Sequence, residues 1–180
     1  MNQLSKNELI EKLQSIRCLI LDIDGVMTNG KIFWLEEFGW TRFFDIKDGY
    51  GLKLLMKSGF PVGVISSGDS KDVRTRCKFL KIENAFFGDE DKLTSLEKME
   101  AATGVARNEM AFIGDELFDL PVLEAVGFPI SVPNAVKTVQ KRACWVTKNS
   151  GGDGAVREVV DSIRKAQNIG PFSEDLDWPF

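Results

Sequence analysis

The stretch Arg17-Cys18-Leu19-Ile20-Leu21-Asp22-Ile23-Asp24-Gly25-Val26-Met27-Thr28 decides the reading of this chain. Residues 17–21 form an apolar run of the kind that makes a strand buried on both faces. Two carboxylates follow at its carboxyl end, where the loops of a parallel α/β sheet converge and ligands bind. Strand alternation points Asp22 and Asp24 the same way, so two like charges share a small space. That arrangement is unfavourable unless a cation or a proton resolves it. A pair of solvated helix caps is the duller alternative, but a cap needs one acidic residue, not a pair behind a hydrophobic strand.

Working outward, the pattern alternates. Residues 3–15 predict an amphipathic helix with Leu4, Leu9, Ile10 and Leu13 as its apolar stripe. Ile32–Leu35 and Trp40–Phe44 flank Glu36-Glu37-Phe38-Gly39 and predict a β-hairpin flap over 31–45. A hairpin this aromatic has to pack on its own body or on a neighbouring subunit. Asp48 reads as the N-cap of a helix running to Ser58, with Gly59 as its C-cap. Strands at 61–65, 85–87, 110–113, 128–132 and 144–147 then alternate with helices at 70–80, 92–103, 119–125, 135–140 and 154–167. This pattern implies an α/β fold: a doubly wound, mainly parallel, Rossmann-like sheet with helices on both faces. The 180 residues suit one domain over 1–180, with 171–180 as a tail whose Phe172, Trp178 and Phe180 suggest ordering against a partner.

Composition narrows the chemistry. The net charge of −4 gives a nucleic-acid backbone no evident attraction, so no nucleic-acid partner is expected. No apolar run reaches membrane-spanning length and the first residues carry no apolar signal core, which predicts a cytoplasmic protein with no membrane partner. Cys18, Cys77 and Cys144 are widely spaced and odd in number, arguing for reduced structural thiols. The chain contains no histidine. That removes Ser-His-Asp and Cys-His hydrolases and histidine-ligated metals, leaving carboxylates, hydroxyls and lysines to do the work.

Such groups stand at three strand ends: Asp22 and Asp24, then Ser66, then Asp115, with Lys92 opening the helix before the last strand. Clustered carboxylates without histidine or thiolate make a hard oxygen environment that favours Mg²⁺ and also accepts Mn²⁺. An ionised aspartate beside a cation can attack phosphorus, and a lysine and a hydroxyl can hold the transferring oxygens. A second aspartate two residues on can protonate the leaving alcohol and later activate water. The alternatives are ordinary ones: Ser66 as a helix cap, Lys92 as a solvated helix-start lysine, Asp115 as a turn residue. Asp119 reads as a residue that orients Lys92 or accepts a loop amide.

Asp22-x-Asp24-Gly25-Val26, Ser66, Lys92 and Gly114-Asp115-x-x-x-Asp119 together resemble the four motifs of the haloacid-dehalogenase phosphohydrolase superfamily. The resemblance implies Asp22 as nucleophile, Asp24 as general acid and base, and Ser66 and Lys92 on the phosphate. It also implies Mg²⁺ on Asp22, the Asp24 carbonyl and Asp115, with Glu116 and Asp119 supporting them. No gap has room for a cap domain, so the hairpin stands in its place, similar to the capless subclass that includes the 3-deoxy-manno-octulosonate 8-phosphate phosphatases. Asp45-Ile46-Lys47-Asp48-Gly49-Tyr50-Gly51, Val73-x-x-Arg76-Cys77 and Gly151-Gly152-x-Gly154-Ala155-Val156-Arg157-Glu158 resemble that family too.

That likeness implies a homotetramer whose hairpins and tails close neighbouring sites. It implies substrate contacts at Asp24, Asp45, Ile46, Lys47, Asp48, Gly49, Lys53, Ser66, Ser67, Arg76 and Lys92. The small-molecule substrate it implies is a sugar acid phosphate. The chain departs from the pattern at Ser66-Ser67-Gly68, where the family usually has Thr-Gly-Arg, and at Lys47 and Lys53, which stand where arginines are expected. Glu116 replaces an aspartate. A related nine-carbon 2-keto-3-deoxy sugar acid phosphate therefore stays open as substrate. So does the alternative of a non-catalytic, phosphatase-like assembly module, which the intact motif set disfavours.

Overall fold

A computed structural model describes residues 4–89 and 91–170. A six-stranded parallel sheet forms the centre. In chain order its strands are β1 (Cys18–Leu21), β4 (Val62–Ser66), β5 (Asn84–Phe87), β6 (Met110–Gly114), β7 (Phe128–Ser131) and β8 (Trp145–Val146). Across the sheet the order is β5-β4-β1-β6-β7-β8. Every residue of β1 is buried, as its unbroken apolar run requires. The chain runs outward from β1 on one side and returns on the other, so β1 lies between β4 and β6 with the topological switch beside it. This order sets the carboxyl ends of β1, β4 and β6 next to one another although they are about forty or more residues apart in sequence.

The helices are α1 (Lys6–Ser15), α2 (Ile46–Lys57), α3 (Lys71–Leu80), α4 (Lys92–Thr103), α5 (Leu120–Ala125), α6 (Lys137–Arg142) and α7 (Ala155–Ala166). Helix α7 packs against α1 and α2, while α5 packs against α4 and α6. Right-handed crossovers that change direction at β1 put these two groups on opposite faces of the sheet. Cys18 and Cys77 are free thiols buried in the core. Among the described residues, no helix is long and apolar enough to cross a membrane. The stretch 171–180 lies outside the described residues.

Several boundaries differ from the sequence reading. Helix α2 begins at Ile46 and is capped by Asp45, whose carboxylate accepts from the Asp48 amide at 2.8 Å. Asp48 is therefore not the cap. It sits in the first turn, buried, and its own carboxylate accepts from the Arg157 amide at 2.8 Å, a tertiary partner that local pattern does not reveal. The C-cap of α2 is Ser58, and Gly59 follows it at φ +83. Helix α6 starts two residues later than expected. A 3₁₀ turn at Leu117–Asp119 precedes α5 and swings Asp119 inward.

The flap is a two-stranded antiparallel hairpin of β2 (Ile32–Leu35) and β3 (Gly39–Arg42). Trp34 and Trp40 meet edge to face with centroids 5.2 Å apart, and Phe33 stacks on Phe43 at 4.9 Å. These pairs set its register, yet Trp34, Phe38, Trp40 and Phe43 remain more than half exposed. Among the described residues, none covers them.

Candidate active site

Asp22 follows β1 and is 2% exposed. Its Oδ1 accepts from Lys92 Nζ at 2.8 Å, and the same ammonium reaches Asp119 Oδ1 at 2.5 Å. Lys92 is the first residue of α4 and is 1% exposed; Phe118 covers it, with the ring centroid 4.4 Å from Nζ. A buried lysine at a positive helix end is stable only with anions to meet it. It is neither solvated nor idle, and two carboxylates answer it.

Asp119 spends its other oxygen on the loop after β6: Oδ2 accepts from the Asp115 amide at 2.9 Å and the Glu116 amide at 3.1 Å. It both orients Lys92 and accepts loop amides, and it fixes Asp115 facing Asp22. Carboxylate oxygens of Asp22, Asp115 and Asp119 lie within 4.8 Å of one another. Within this group, Asp22 and Asp115 each have one oxygen, Oδ2 and Oδ1 respectively, that is buried without a hydrogen-bond partner. Unpaired buried carboxylate oxygens are unfavourable, and a hard divalent cation between them satisfies both. Because both Asp119 oxygens are already used, Asp22 and Asp115 are the two side chains with oxygens to give.

Gly25 makes this approach possible. It holds φ +87, and a Cβ there would stand 1.9 Å from Asp115 Oδ2. Asn134 ties the same loop down from the far side. Its Nδ2 donates to Gly25 O at 2.8 Å, while its Oδ1 accepts from the Gly151 amide at 2.7 Å.

The electrostatics follow from burial. Burial pushes Asp22 up to about 7 against the pull of Lys92, with the Asp119 charge adding to the rise. Burial and then the charges of Asp22 and Asp119 push Asp115 up to about 8. Without metal, both carboxyls keep protons that the unfolded chain has released. Their contribution to stability is full below ~4 and is lost as pH rises through about 7 to about 8. A divalent cation takes only the ionised pair. Added Mg²⁺ is therefore expected to raise the melting temperature more at pH 8 than at pH 6. Equal increments at the two pH values, or none, would contradict the site.

Ser66 ends β4 and is 1% exposed; its Oγ accepts from the Gly68 amide at 3.2 Å, and it does not cap α3, whose N-cap is Ser70. Asp24 is gripped by Arg42 of the hairpin, Nε to Oδ1 at 2.5 Å and Nη2 to Oδ2 at 2.9 Å. Sequence reasoning missed Arg42 and Asn134. Arg42 did leave a signal: it is the only charged residue in Trp40-Thr41-Arg42-Phe43-Phe44.

The remaining expected contacts form a second group between α2 and α3. Arg76 Nη2 donates to the Asp45 carbonyl at 2.7 Å while its Nε has no partner. A Cβ at Gly49 would meet Arg76 at 2.3 Å, and Lys53 lies over the Phe79 ring at 4.0 Å. Ile46 and Lys47 are exposed, and the Ser67 hydroxyl is buried without a partner. Among the described residues, Asp45, Lys53 and Arg76 share no hydrogen bond or ion pair with Asp22, Asp24 or Lys92. A groove of 610 Å³ between the hairpin and α3 has Arg42 and Arg76 in its lining, with Phe38, Phe44 and Phe79 among the apolar residues.

The geometry therefore offers a buried carboxylate beside an ammonium, a cation site and an open groove, which suits phosphoryl transfer. Residues 79–159 match the family model of haloacid dehalogenase-like hydrolases. The 3-deoxy-D-manno-octulosonate 8-phosphate phosphatase of Escherichia coli strain K12 is 36% identical over 160 residues, covering 89% of this chain and 85% of its own. The chain belongs to the 3-deoxy-D-manno-octulosonate 8-phosphate phosphatase family. Members of this phosphatase family are phosphoric monoester hydrolases of the haloacid dehalogenase-like class.

Solved structures of the same phosphatase family agree in fold. The Moraxella catarrhalis phosphatase, in complex with magnesium ion, phosphate ion and KDO, is 37% identical with a TM-score of 0.87, covering 91% of this chain and 94% of its own. The cobalt-bound Haemophilus influenzae phosphatase is 35% identical with a TM-score of 0.83, covering 87% of this chain and 92% of its own.

Proposed function

We propose that this chain is a Mg²⁺-dependent phosphomonoesterase that hydrolyses 3-deoxy-D-manno-octulosonate 8-phosphate to the free sugar acid and phosphate. The observation that carries the reading is the buried Asp22 carboxylate, held by Lys92 and facing Asp115 with one oxygen of each unpartnered. Asp22 attacks phosphorus; the bond from phosphorus to the sugar oxygen breaks, and its electron pair leaves with that oxygen. Asp24 gives the leaving oxygen a proton. Asp24 then takes a proton from water, whose oxygen attacks phosphorus and releases phosphate and the Asp22 carboxylate. Lys92 and the Ser66 hydroxyl hold phosphate oxygens as charge spreads over them. Bound by Asp22, Asp115 and the Asp24 carbonyl, Mg²⁺ supplies charge neutralisation between phosphate and nucleophile.

Arg76, Lys53 and the turn at 45–49 belong to the sugar-acid end of the substrate in this reading, and Arg76 shares the lining of one groove with Arg42. The exposed aromatic hairpin supports a homotetramer in which neighbouring copies cover it. Phosphate release from a panel of sugar phosphates, with and without Mg²⁺, tests the assignment. The eight-carbon acid phosphate should have the highest kcat/KM and should require Mg²⁺. A higher value for a nine-carbon 2-keto-3-deoxy acid phosphate would move the substrate, and no release from any phosphate would leave an assembly module.

A further inference from the structure

We propose that Arg42 is the positioning residue for Asp24: a guanidinium delivered by the hairpin that holds this carboxylate in the orientation proton transfer needs. The inference rests on the acid and base role assigned to Asp24 under the proposed function. Its grounds are geometric. All three guanidinium nitrogens are used: Nε and Nη2 grip the two oxygens of Asp24 at 2.5 and 2.9 Å, and Nη1 reaches Ser70 Oγ at 2.9 Å and both Asp72 oxygens at 3.3 Å. Ser70 Oγ in turn donates to Asp72 Oδ1 at 2.5 Å, so the start of α3 braces the far end of the guanidinium. The Arg42 side chain is 9% exposed, although it leaves a strand that is itself only partly buried.

Asp24 needs such a brace. Its side chain is 35% exposed, and among the described residues no group other than Arg42 hydrogen-bonds its carboxylate. A flexible carboxylate at a solvent-facing edge would sample several rotamers, and misplacement lowers proton transfer steeply. The fork occupies one lone-pair position on each oxygen and leaves the others for the leaving oxygen or for water. Gly68 provides the room. A Cβ there would already touch Asp24 Oδ2 at 3.4 Å and Arg42 Nη2 at 3.5 Å, so a longer side chain in that direction would compete with the pair. A lysine at position 42 is a point charge on a flexible stem and cannot reproduce the rigid bidentate fork that fixes both Asp24 oxygens.

The test compares kcat/KM for the sugar acid phosphate, whose alkoxide needs a proton to leave, with that for p-nitrophenyl phosphate, whose phenolate does not. Both are measured with Mg²⁺ on one preparation, so the fraction of folded enzyme cancels in their ratio. Arg42→Ala is expected to lower the ratio of sugar to aryl kcat/KM by roughly 10- to 100-fold, part of what general acid catalysis supplies. Arg42→Lys should recover part of that ratio. Asp24→Asn is the control for the reading beneath: it should lower the ratio at least as far. If Asp24→Asn lowers the ratio and Arg42→Ala leaves it at the parent value, the positioning role is wrong and the Asp24 assignment stands. If Asp24→Asn itself leaves the ratio unchanged, the acid assignment fails first.

Discussion

Asp22→Asn is expected to lower kcat by at least ~10³-fold while leaving the fold and the melting temperature close to those of the parent, because loss of a nucleophile is among the largest single-residue effects on catalysis. The asymmetry between activity and stability follows from the two oxygens of Asp22. Oδ1 accepts from Lys92 at 2.8 Å, and an amide oxygen keeps that contact without adding volume at a site that is 2% exposed. What the amide cannot do is attack phosphorus, or offer an anionic oxygen opposite Asp115. The same variant should therefore show a smaller Mg²⁺-dependent rise in melting temperature. Retained turnover in a Mg²⁺-replete assay would remove Asp22 from the nucleophile's role and leave it only as a partner of Lys92 and of the cation.

Lys92→Ala is expected to fail in the opposite pattern, losing stability and activity together. Its ammonium answers Asp22 and Asp119 inside a site where all three side chains are at most 2% exposed. Burial alone would lower the Lys92 pKa, but the charges of Asp22 and Asp119 outweigh it and raise it, so the ammonium is firmly protonated. Removing it leaves two buried carboxylates without a cation, a change that typically destabilises by about 3–5 kcal/mol. In a chain of this size that lowers the melting temperature by on the order of 10 °C. Catalysis should fall by roughly 10²–10³-fold, since one donor to the transferring oxygens is lost. The stability loss should shrink as pH falls, because burial pushes the Asp22 carboxyl up to about 7 and, once protonated, it needs no cation. Calorimetry across pH 5 to 8 checks this. A variant that melts with the parent throughout would mean Asp22 and Asp119 do not depend on Lys92.

The parts of this arrangement that sequence reveals are those where local pattern and tertiary need coincide. β1 is apolar over its whole length because it is buried on both faces, and its exit is therefore recognisable as a crevice. Lys92 is legible because a cation at a helix start is unfavourable without an anion. Asp115 and Asp119 are legible from their place after another buried strand. Long-range partners leave weaker traces. Asp48 looks like a helix cap until Arg157, more than a hundred residues later, donates to it, and Asp45 does the capping. Arg42 hides in an aromatic hairpin whose strand pattern says nothing of Asp24. Asn134 reads as a loop residue, although it clamps Gly25 to Gly151. In each case the local sequence is compatible with a solvated role, and only the sheet order brings the partner within reach.

The departure at Gly68 also acquires a physical meaning. The sequence shows a missing guanidinium in the loop after β4, whereas the fold shows a guanidinium beside that same loop, carried by the hairpin. The charge near Asp24 is thus present, but its mooring differs. It ties the Asp24 carboxylate to the flap and to Asp72 on α3, so the element expected to sit between subunits is hydrogen-bonded directly to the residue proposed as acid and base.

The central claim is that Asp22 carries the phosphoryl group during turnover. Enzyme quenched in acid during steady-state hydrolysis with Mg²⁺, then reduced with borohydride, converts a phosphorylated aspartate to homoserine that peptide mass spectrometry locates. Homoserine at position 22, dependent on substrate and absent without it, is the predicted result. Homoserine at Asp24 or Asp115 would contradict the claim, as would none at any aspartate in enzyme whose Asp22→Asn variant still turns over.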